Sequence, residues 1–546
     1  MTLGPVPLVV GVAGHRDLPS DAGPLRDCVR ATLREMRDAY PNTPIVLLSA
    51  LAEGADRLVA SEGLDLGFAL RVPLPMEIAE YERDFESEAS KVEFRALLAR
   101  AESSFVVRPR DGERTDYDRA ETRAAAYANC AAYIVRHCVE LVALWDGLEG
   151  GKGGTADIVS FQLEGLPAPY VPESVAFDAS MTGPVIQLVT PRVAGALGKP
   201  VQIRLHYPES AITQPEKAFA RAKFGIERFN AEVVRRSEAG GFAALPIDKQ
   251  AEALANLYQR RTNRALLAIF LLVFAAAVGF AIYTAVPNHP LGILIGYVAL
   301  SAAAFAVYRA SRRGEWEERH QDFRALEQLL RISRFWKLAG IDESPALHFA
   351  RQERTTIDWI AMALRALTEF SPPSEDRPHE SALRDTLPIV SREWVDDQYA
   401  YYSTLVNRRL RVRERTASVL ATAAILGSIA LTIAANLASE GAGHGGVTVV
   451  LVVAAALAIA AALVHDFAEK RGWSEHIRHY ELMALLFGQA RLRIARVLSK
   501  PQPSDEDYER LRAVLRILGI EAIRENVAWL NLHRSRPIRV PAIVGG

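Results

Sequence analysis

Residues 141–159, LVALWDGLEGGKGGTADIV, carry three local signals in one short stretch. LVALW is an apolar run typical of a buried parallel strand, and Asp146-Gly147 follows it as an acidic turn. A cluster of four glycines between residues 150 and 154 then leaves a bare backbone in front of a new helix, which Thr155 is expected to cap. Exposed N–H groups at a helix N-terminus favour phosphate, so we predict an anion-binding pocket here.

On both sides of this stretch, apolar runs alternate with segments of helical spacing. The predicted strands cover residues 8–13, 45–49, 68–72, 105–107, 139–145 and 185–189, and the predicted helices include 25–40, 55–64, 120–137 and 155–162. This alternation predicts an α/β fold with a doubly wound, Rossmann-like parallel sheet. Ligands of such sheets bind at the carboxyl ends of the strands, where the unusual turns 14–16, 49–56 and 146–155 are expected.

These three turns supply the candidate ligand-binding residues. They are Gly14, His15, Arg16, Ser49, Glu53, Gly54, Ala55, Asp56, Asp146, Gly147, Gly153, Gly154 and Thr155. Arg16 offers a bidentate fork for a phosphate, and Glu53 and Asp56 are of the type that holds ribose hydroxyls. The alternatives are a surface Arg16, a strand-capping His15, an Asp56 that only caps a helix and a plain glycine loop. For Asp146 three roles stay open: binding a ribose, binding a metal, or binding no ligand.

Composition narrows the function classes. Lys and Arg number 64 against 65 Asp and Glu, so no basic excess indicates a dedicated nucleic-acid binder. The three cysteines have no metal-ligand spacing and fit a reducing compartment, and no His/Cys/Asp cluster predicts a fixed metal site. We therefore expect no metal and no cofactor besides the ligand. The N-terminus lacks the basic region of a signal peptide.

Four long apolar runs in the second half of the chain decide its broad class. They cover residues 265–286, 291–308, 416–437 and 447–464, and none contains an Asp, Glu, Lys or Arg. Each run is long enough to cross a bilayer core as a helix. Two short polar turns join the four runs into two transmembrane hairpins. Buried core helices are the alternative. All basic flanks lie opposite the turns, so both termini are expected in the cytoplasm and the protein in a bacterial inner membrane, multi-pass.

The flanks of the two hairpins repeat each other. Trp316-x-Glu318-x4-Phe323 follows the first hairpin, and Trp473-x-Glu475-x4-Tyr480 follows the second. We interpret this as an internal duplication, with convergent patterning as the alternative. The predicted division is a sensor domain at 1–205, a helical connector at 206–262, a first membrane unit at 263–371, a linker at 372–390, a second membrane unit at 391–530 and a tail at 531–546.

The four membrane runs contain no ionisable residue in mid-span. A pump or an ion-coupled transporter usually needs one, so this absence argues against both classes. They do contain small and weakly polar residues such as Gly279, Ser301, Thr422, Ser428 and Thr432. Such residues let helices approach closely and bond to each other, so we expect a homo-oligomer. A simple membrane anchor is the alternative.

The three turns resemble those of the SLOG superfamily, a Rossmann-like group that includes DprA and the LOG nucleotide hydrolases. The resemblance covers about residues 6–205 and rests on GVAGHRDL, SALAEGAD at 49–56 and GGT at 153–155. Each hairpin with its flanks resembles SLATT, a two-helix membrane effector unit found beside nucleotide-signal domains in bacterial conflict systems. Together they imply an antiviral defence effector, in which a nucleotide-derived ligand gates membrane permeabilisation by a pore-forming oligomer.

One position departs from the LOG pattern. A Glu three residues after the Thr takes part in glycosidic cleavage in that family, and here Ile158 occupies the place. Asp157 is one residue early, which turns its carboxylate away by about 100° on a helix. We therefore expect binding without turnover and no catalytic residue. The alternatives are a membrane-anchored nucleotide N-glycosidase, with Glu53, Asp56, Asp146 or Asp157 as its acid, and a non-catalytic membrane scaffold.

Overall fold

The computed structural model describes residues 3–19, 21–110, 115–149, 153–168, 170, 182–191, 201–209, 214–238, 240–341, 343–352, 359–368, 380–438, 444–535 and 537. The chain forms two compact units. The first combines Met1–Ile247 with Ser344–Glu375, and the second combines Asp248–Glu343 with Asp376–Gly546. Residues 150–152, 372–379 of the predicted linker and nearly all of the tail after 535 lie outside the described residues.

The first unit is built on one sheet. Its strands are β1 (Leu8–Gly14), β2 (Ile45–Leu48), β3 (Ala69–Leu74), β4 (Ser103–Val106), β5 (Glu140–Trp145), β6 (Val185–Val189) and β7 (Ile203–His206). They lie in the order β4-β3-β2-β1-β5-β6-β7, and β1 to β6 are parallel. The predicted parallel sheet with intervening helices is confirmed for β1 to β6, and the whole sheet is mostly parallel. The edge strand β7 is an addition that pairs antiparallel with β6.

Among its described residues, seven α-helices precede the membrane region in this unit. They are α1 (Gly23–Ala39), α2 (Ala55–Asp65), α3 (Ile78–Tyr81), α4 (Glu88–Arg100), α5 (Ala120–His137), α6 (Thr155–Glu164) and α7 (Pro215–Ser237). The periodic residues Leu25, Val29, Leu33 and Met36 form the buried face of α1, as their spacing predicts. Helices α3 and α4 were not predicted.

Buried polar side chains dock α7 on the strand starts. Asn230 is fully buried, accepts a hydrogen bond from the Val6 amide at 3.1 Å and donates to the Val6 carbonyl oxygen at 2.8 Å. Glu227 accepts hydrogen bonds from the Asn42 amide at 3.2 Å and from the Thr43 hydroxyl at 2.7 Å. Because these bonds satisfy backbone groups just before β1 and β2, α7 is held at the amino edge of the sheet, opposite the predicted site.

Two further helices, α11 (Pro345–Gln352) and α12 (Trp359–Thr368), belong to the sheet unit although the predicted division placed them with the first hairpin. The Trp359 ring lies 6.1 Å from Phe229 of α7, and Gly225 of α7 leaves room for it. Ala366 joins the core formed by Ile134 and other apolar residues beneath α5. Apolar packing therefore returns this segment to the sheet.

The second unit is entirely helical among the described residues. Its helices are α8 (Ile247–Ala285), α9 (Leu291–Arg313), α10 (Trp316–Leu338), α13 (Glu380–Val390), α14 (Asp397–Ala400), α15 (Asn407–Ala438), α16 (His444–Lys470), α17 (Trp473–Leu498) and α18 (Asp505–Ser535). π-helical turns at Ser391–Asp396 and Tyr401–Val406 connect α13, α14 and α15.

Four helical stretches are long and apolar enough to cross a membrane. They are Ile247–Ala285, Leu291–Leu338, Leu383–Leu437 and Gly446–Leu498. They include the four predicted apolar runs, except for residue 286 of the first, so the prediction of four candidate membrane spans is confirmed. The helices extend well beyond the apolar runs, because charged amphipathic turns continue them; α8 begins 18 residues before residue 265. On α15, Leu420, Leu426 and Leu437 are exposed.

The two Trp-x-Glu motifs occupy equivalent places in the second unit. Trp316 is the first residue of α10 and Trp473 is the first residue of α17. The residue before each tryptophan has a left-handed backbone, with φ of 49° at Glu315 and 57° at Gly472. Each motif therefore begins a charged helix directly after a left-handed residue that ends the apolar one.

Aromatic residues form the core of the charged helices. Trp336 of α10 is fully buried and donates from Nε1 to the Leu515 carbonyl oxygen of α18 at 3.3 Å. Phe335 stacks on Trp394 with ring centroids 5.5 Å apart. Outside the apolar runs, the second unit thus has a packed core of its own.

Candidate functional site

A cavity of about 390 Å³ lies at the carboxyl ends of β1, β2 and β5. The chain runs from β1 outward through β2 on one side and returns to β5 on the other, so this is the point where the strand order reverses. Open parallel sheets bind ligands at such a crevice. Seven of the thirteen candidate residues line the cavity, namely Gly14, His15, Arg16, Asp56, Gly153, Gly154 and Thr155.

The β1 and β2 turns interlock through two glycines. The Ala55 amide donates to the His15 carbonyl oxygen at 3.0 Å. Gly54 has φ of +77°, and a Cβ there would lie 2.0 Å from the Arg16 carbonyl oxygen. A Cβ on Gly14 would lie 2.3 Å from the Cβ of Ala55. Gly14 lines the cavity, whereas Gly54 and Ala55 do not line it and serve the close backbone approach.

Asp56 is a buried carboxyl that reaches the cavity. It is 6% exposed and accepts a hydrogen bond from the Ser49 hydroxyl at 3.2 Å. Burial raises the pKa of Asp56 to about 7, although Ser49, the Ala52 amide and Arg16 act in the opposite direction. The N-cap of α2 is Gly54, without a side-chain cap, so Asp56 is not a helix cap. Ser49 is fully buried and orients Asp56 from behind the cavity wall.

Glu53 is engaged away from the cavity. Its Oε1 accepts hydrogen bonds from the Glu86 amide at 3.1 Å and from the Ser90 hydroxyl at the start of α4. It does not line the cavity. Its role in the structure is to tie the β2 turn to the segment that follows β3.

His15 and Asp146 connect the turns of the neighbouring strands β1 and β5. The Asp146 amide donates to His15 Nε2 at 3.1 Å, and the Asp146 carboxylate lies 3.3 Å from the same nitrogen. Accepting that bond requires an imidazole that carries its proton on Nδ1. Asp146 also accepts from the Leu148 amide at 3.0 Å, which closes the turn through Gly147 at φ of +90°. His15 lines the cavity, and Asp146 and Gly147 stand behind it.

The N-terminus of α6 borders the cavity. Its N-cap is Gly154 and no side chain caps it, so the predicted cap by Thr155 is wrong. Thr155 is instead the first helical residue and lines the cavity together with Ala156. Asp157 accepts a hydrogen bond from the Gly153 amide at 2.7 Å and fixes the glycine turn. The first-turn amides of Thr155 and Ala156 have no acceptor within an α-helix and are available to an anion.

Arg16 provides a cation to the lining of the cavity. Its guanidinium lies 5.2 Å from the centroid of the Tyr127 ring. The Tyr127 hydroxyl donates to Asp84 at 2.5 Å, which fixes the ring under the guanidinium. Cation–π contact and this fixed ring restrict the Arg16 side chain before any ligand arrives.

Several lining residues were not identified from the sequence. They are Ala52, Tyr81, Tyr127, Cys130, Trp145 and Ile158, with other apolar neighbours. On α5, Tyr127, Cys130 and Ile134 follow the i, i+3, i+7 spacing of one helix face, and that pattern was a usable signal. Tyr81 gave no such signal, because its place depends on the path of the chain after β3.

Comparison with known proteins does not assign the chain to a family. A scan against models of protein families finds no match to the chain, and no curated protein matches it. Within the described ranges, no group of three or more His, Cys, Asp or Glu could hold a metal ion. The site therefore has to be interpreted from its own residues.

The arrangement combines a cation, a helix N-terminus and one buried carboxyl. Of the four carboxylates considered as an acid, only Asp56 lines the cavity, while Glu53, Asp146 and Asp157 are engaged by amides behind it. Ile158 lines the cavity and packs on the core beneath it, where the LOG pattern has its glutamate. Arg16 and the first-turn amides of α6 can hold an anionic group, and among the four carboxylates compared Asp56 is the one placed at the cavity for acid chemistry.

Proposed function

We propose that the sheet unit is a cytoplasmic receptor for a nucleotide-type ligand and that it controls permeabilisation of a bacterial inner membrane. The observation that carries the proposal is the cavity at the switch point of the sheet, in a chain that also has four helices apolar enough to span a membrane. The resemblance of its turns to SLOG domains and of its hairpins to SLATT units supports an antiviral effector.

The ligand's phosphate would meet the first-turn amides of α6 and the guanidinium of Arg16, which line the same cavity. Both groups stabilise negative charge, the amides through the helix dipole and arginine through charge-assisted bonds. The glycine turn at 153–154 lets the phosphate approach the backbone closely. Asp56 is the one carboxyl among the described residues that line the cavity, and burial raises its pKa to about 7, which reduces its negative charge near neutral pH.

The membrane part would act as an oligomer of duplicated hairpin units. The equivalent left-handed residues before Trp316 and Trp473 support the duplication, since both junctions turn in the same way. Arginines 260, 261 and 264 and those between 408 and 415 precede the two hairpins and would remain in the cytoplasm with both termini. A ligand shifts such an oligomer only if it binds the open and closed states with different affinity.

Membrane potential in expressing bacteria tests this proposal. Cells producing the full chain are expected to depolarise when challenged with phage, and cells producing Arg16→Gln are expected to keep their potential. The control is Arg37→Gln on the exposed face of α1, which should behave as the unaltered protein. Equal depolarisation by the chain and by Arg16→Gln, or no depolarisation under any challenge, would overturn the proposal.

A nucleotide N-glycosidase is the second candidate, and Asp56 is the observation that favours it. A carboxyl with a pKa raised to about 7 by burial is partly protonated near neutral pH, as a general acid needs. It would protonate the leaving base while water adds to the anomeric carbon, giving free base and a sugar phosphate. Incubation of the purified full chain with nucleoside monophosphates, followed by chromatography, decides the point. Release of base that Asp56→Asn abolishes would favour the enzyme; bound but intact nucleotide would exclude it.

A further inference from the structure

Tyr81 is the lining residue whose chemistry the proposed phosphate contacts leave unused. It ends α3, is fully buried and lines the cavity. Its ring is fixed by Phe85 at 5.0 Å, Phe94 at 5.7 Å and Tyr127 at 6.0 Å between centroids. The aromatic packing therefore leaves the hydroxyl little freedom to move.

The Tyr81 hydroxyl has no hydrogen-bond partner among the described residues. A buried polar group without a partner costs about 1–3 kcal/mol, and native proteins keep few of them. Phenylalanine at this position would make the same ring contacts without that cost. The hydroxyl therefore lowers the stability of the chain relative to phenylalanine, as groups that serve binding often do.

The neighbours of the hydroxyl identify the kind of group that it would meet. Burial raises the pKa of Tyr81 well above its usual range, and Tyr127, Asp56 and Cys130 around the cavity reinforce the rise, so the phenol keeps its proton and donates. Asp56, oriented by Ser49, accepts a hydrogen bond when ionised and donates or accepts when protonated. Arg16 lines the same cavity and adds a donor whose position is restricted by the Tyr127 ring.

We propose that Tyr81 and Asp56 form a subsite for an uncharged group of the ligand that both donates and accepts hydrogen bonds, as the hydroxyls of a ribose do. The inference rests on the proposed nucleotide binding and deepens it. The phosphate lies at α6, and the sugar spans the cavity toward α3. The cavity then selects a sugar phosphate or a nucleotide over inorganic phosphate, and Tyr81 sets that preference.

Binding of AMP, ribose 5-phosphate and inorganic phosphate to the full chain in detergent tests the subsite by calorimetry. Tyr81→Phe is expected to weaken AMP and ribose 5-phosphate about tenfold, as the loss of one well-placed bond does, and to leave inorganic phosphate unchanged. Its thermal midpoint without ligand should equal or exceed that of the unaltered chain. Tyr127→Phe is the control, because it loses the bond to Asp84 and should lower the midpoint.

The outcomes separate the two proposals. If the unaltered chain binds none of the three probes, the proposed function fails and the subsite fails with it. If AMP and ribose 5-phosphate bind the unaltered chain and Tyr81→Phe equally well, the subsite is overturned while the receptor function stands. A parallel loss of inorganic phosphate would also overturn it, since the hydroxyl would then contact the phosphate itself.

Discussion

Arg365 of α12 donates from Nε to the carbonyl oxygen of Arg136, 3.1 Å away, at the end of α5. Its Nη2 also donates to the Cys138 carbonyl oxygen at 3.3 Å. Helix α5 carries Tyr127 and Cys130 into the cavity wall. A side chain from the segment between the two predicted hairpins therefore completes the C-terminal cap of the helix that covers the ligand cavity.

Replacing Arg365 should loosen that helix end. Arg365→Ala leaves several carbonyl groups at the end of α5 without a partner, so we expect a loss of about 1–3 kcal/mol in the stability of the sheet unit. Hydrogen exchange of the amides near residues 133–138 should accelerate. The control is Arg37→Ala, whose exposed pair with Asp38 contributes little. Unchanged exchange at the end of α5 in Arg365→Ala would contradict the prediction.

Gly54 and Gly67 offer a matched pair of glycines with left-handed backbones. Their φ angles are +77° and +85°, but only Gly54 has neighbours where a Cβ would stand. Gly67→Ala should cost only the backbone penalty of about 1–2 kcal/mol. Gly54→Ala should cost about 1–3 kcal/mol more, because the Arg16 backbone must move and deform the cavity. Thermal melts of the two variants compare these costs directly, and equal midpoints would rule out the steric contribution.

The helical unit permits a similar comparison. A Cβ on Gly519 of α18 would lie 2.2 Å from Nε1 of the fully buried Trp336, whereas one on Gly296 of α9 would meet nothing within 4 Å. Gly519→Ala should therefore destabilise the packing of α10 on α18 by about 1–3 kcal/mol. Gly296→Ala should be neutral or stabilising, since alanine favours helices. Thermal unfolding in detergent measures both, and a stable Gly519→Ala would show that α18 can shift away from Trp336.

Signals within short windows account for what could be predicted from the sequence. The continuous apolar runs of β1 and β5 and the charge-free membrane runs are local, so strands and candidate spans were found near their true places. Strand β7 was missed, because Ile203–His206 is only four residues long and both of its apolar side chains are exposed. Helix α4 was missed because its charged sequence buries only Phe94 and Leu97.

The candidate site was predictable where the signal lay in a turn and not where it depended on a distant partner. Glycines at 14, 54, 153 and 154 pointed to close backbone approach, and Arg16 does line the cavity. The engagement of Glu53 depends on Ser90, 37 residues further along the chain. Tyr81 reaches the cavity only through the fold of the segment after β3. No local pattern encodes either contact.

Asp56 predicts how stability changes with pH. Its carboxyl titrates near 3.8 when unfolded, and burial raises its pKa to about 7 in the folded chain. The folded state therefore holds the proton more tightly. The contribution of this proton to the free energy of unfolding is fully present below about pH 4, falls as the pH rises toward 7 and is lost above it. Its upper limit is on the order of 4 kcal/mol.

Asp56→Asn isolates this effect, because asparagine still accepts the Ser49 hydrogen bond and cannot ionise. The variant should match the unaltered chain near pH 4 and exceed its thermal midpoint at pH 8. Burial likewise raises the pKa of Glu525 in α18 to about 7, so the informative quantity is the difference between the two proteins and not the slope of either one. Parallel curves from pH 4 to pH 8 would mean that Asp56 is ionised in the folded protein, with Arg16 and Ser49 compensating its burial.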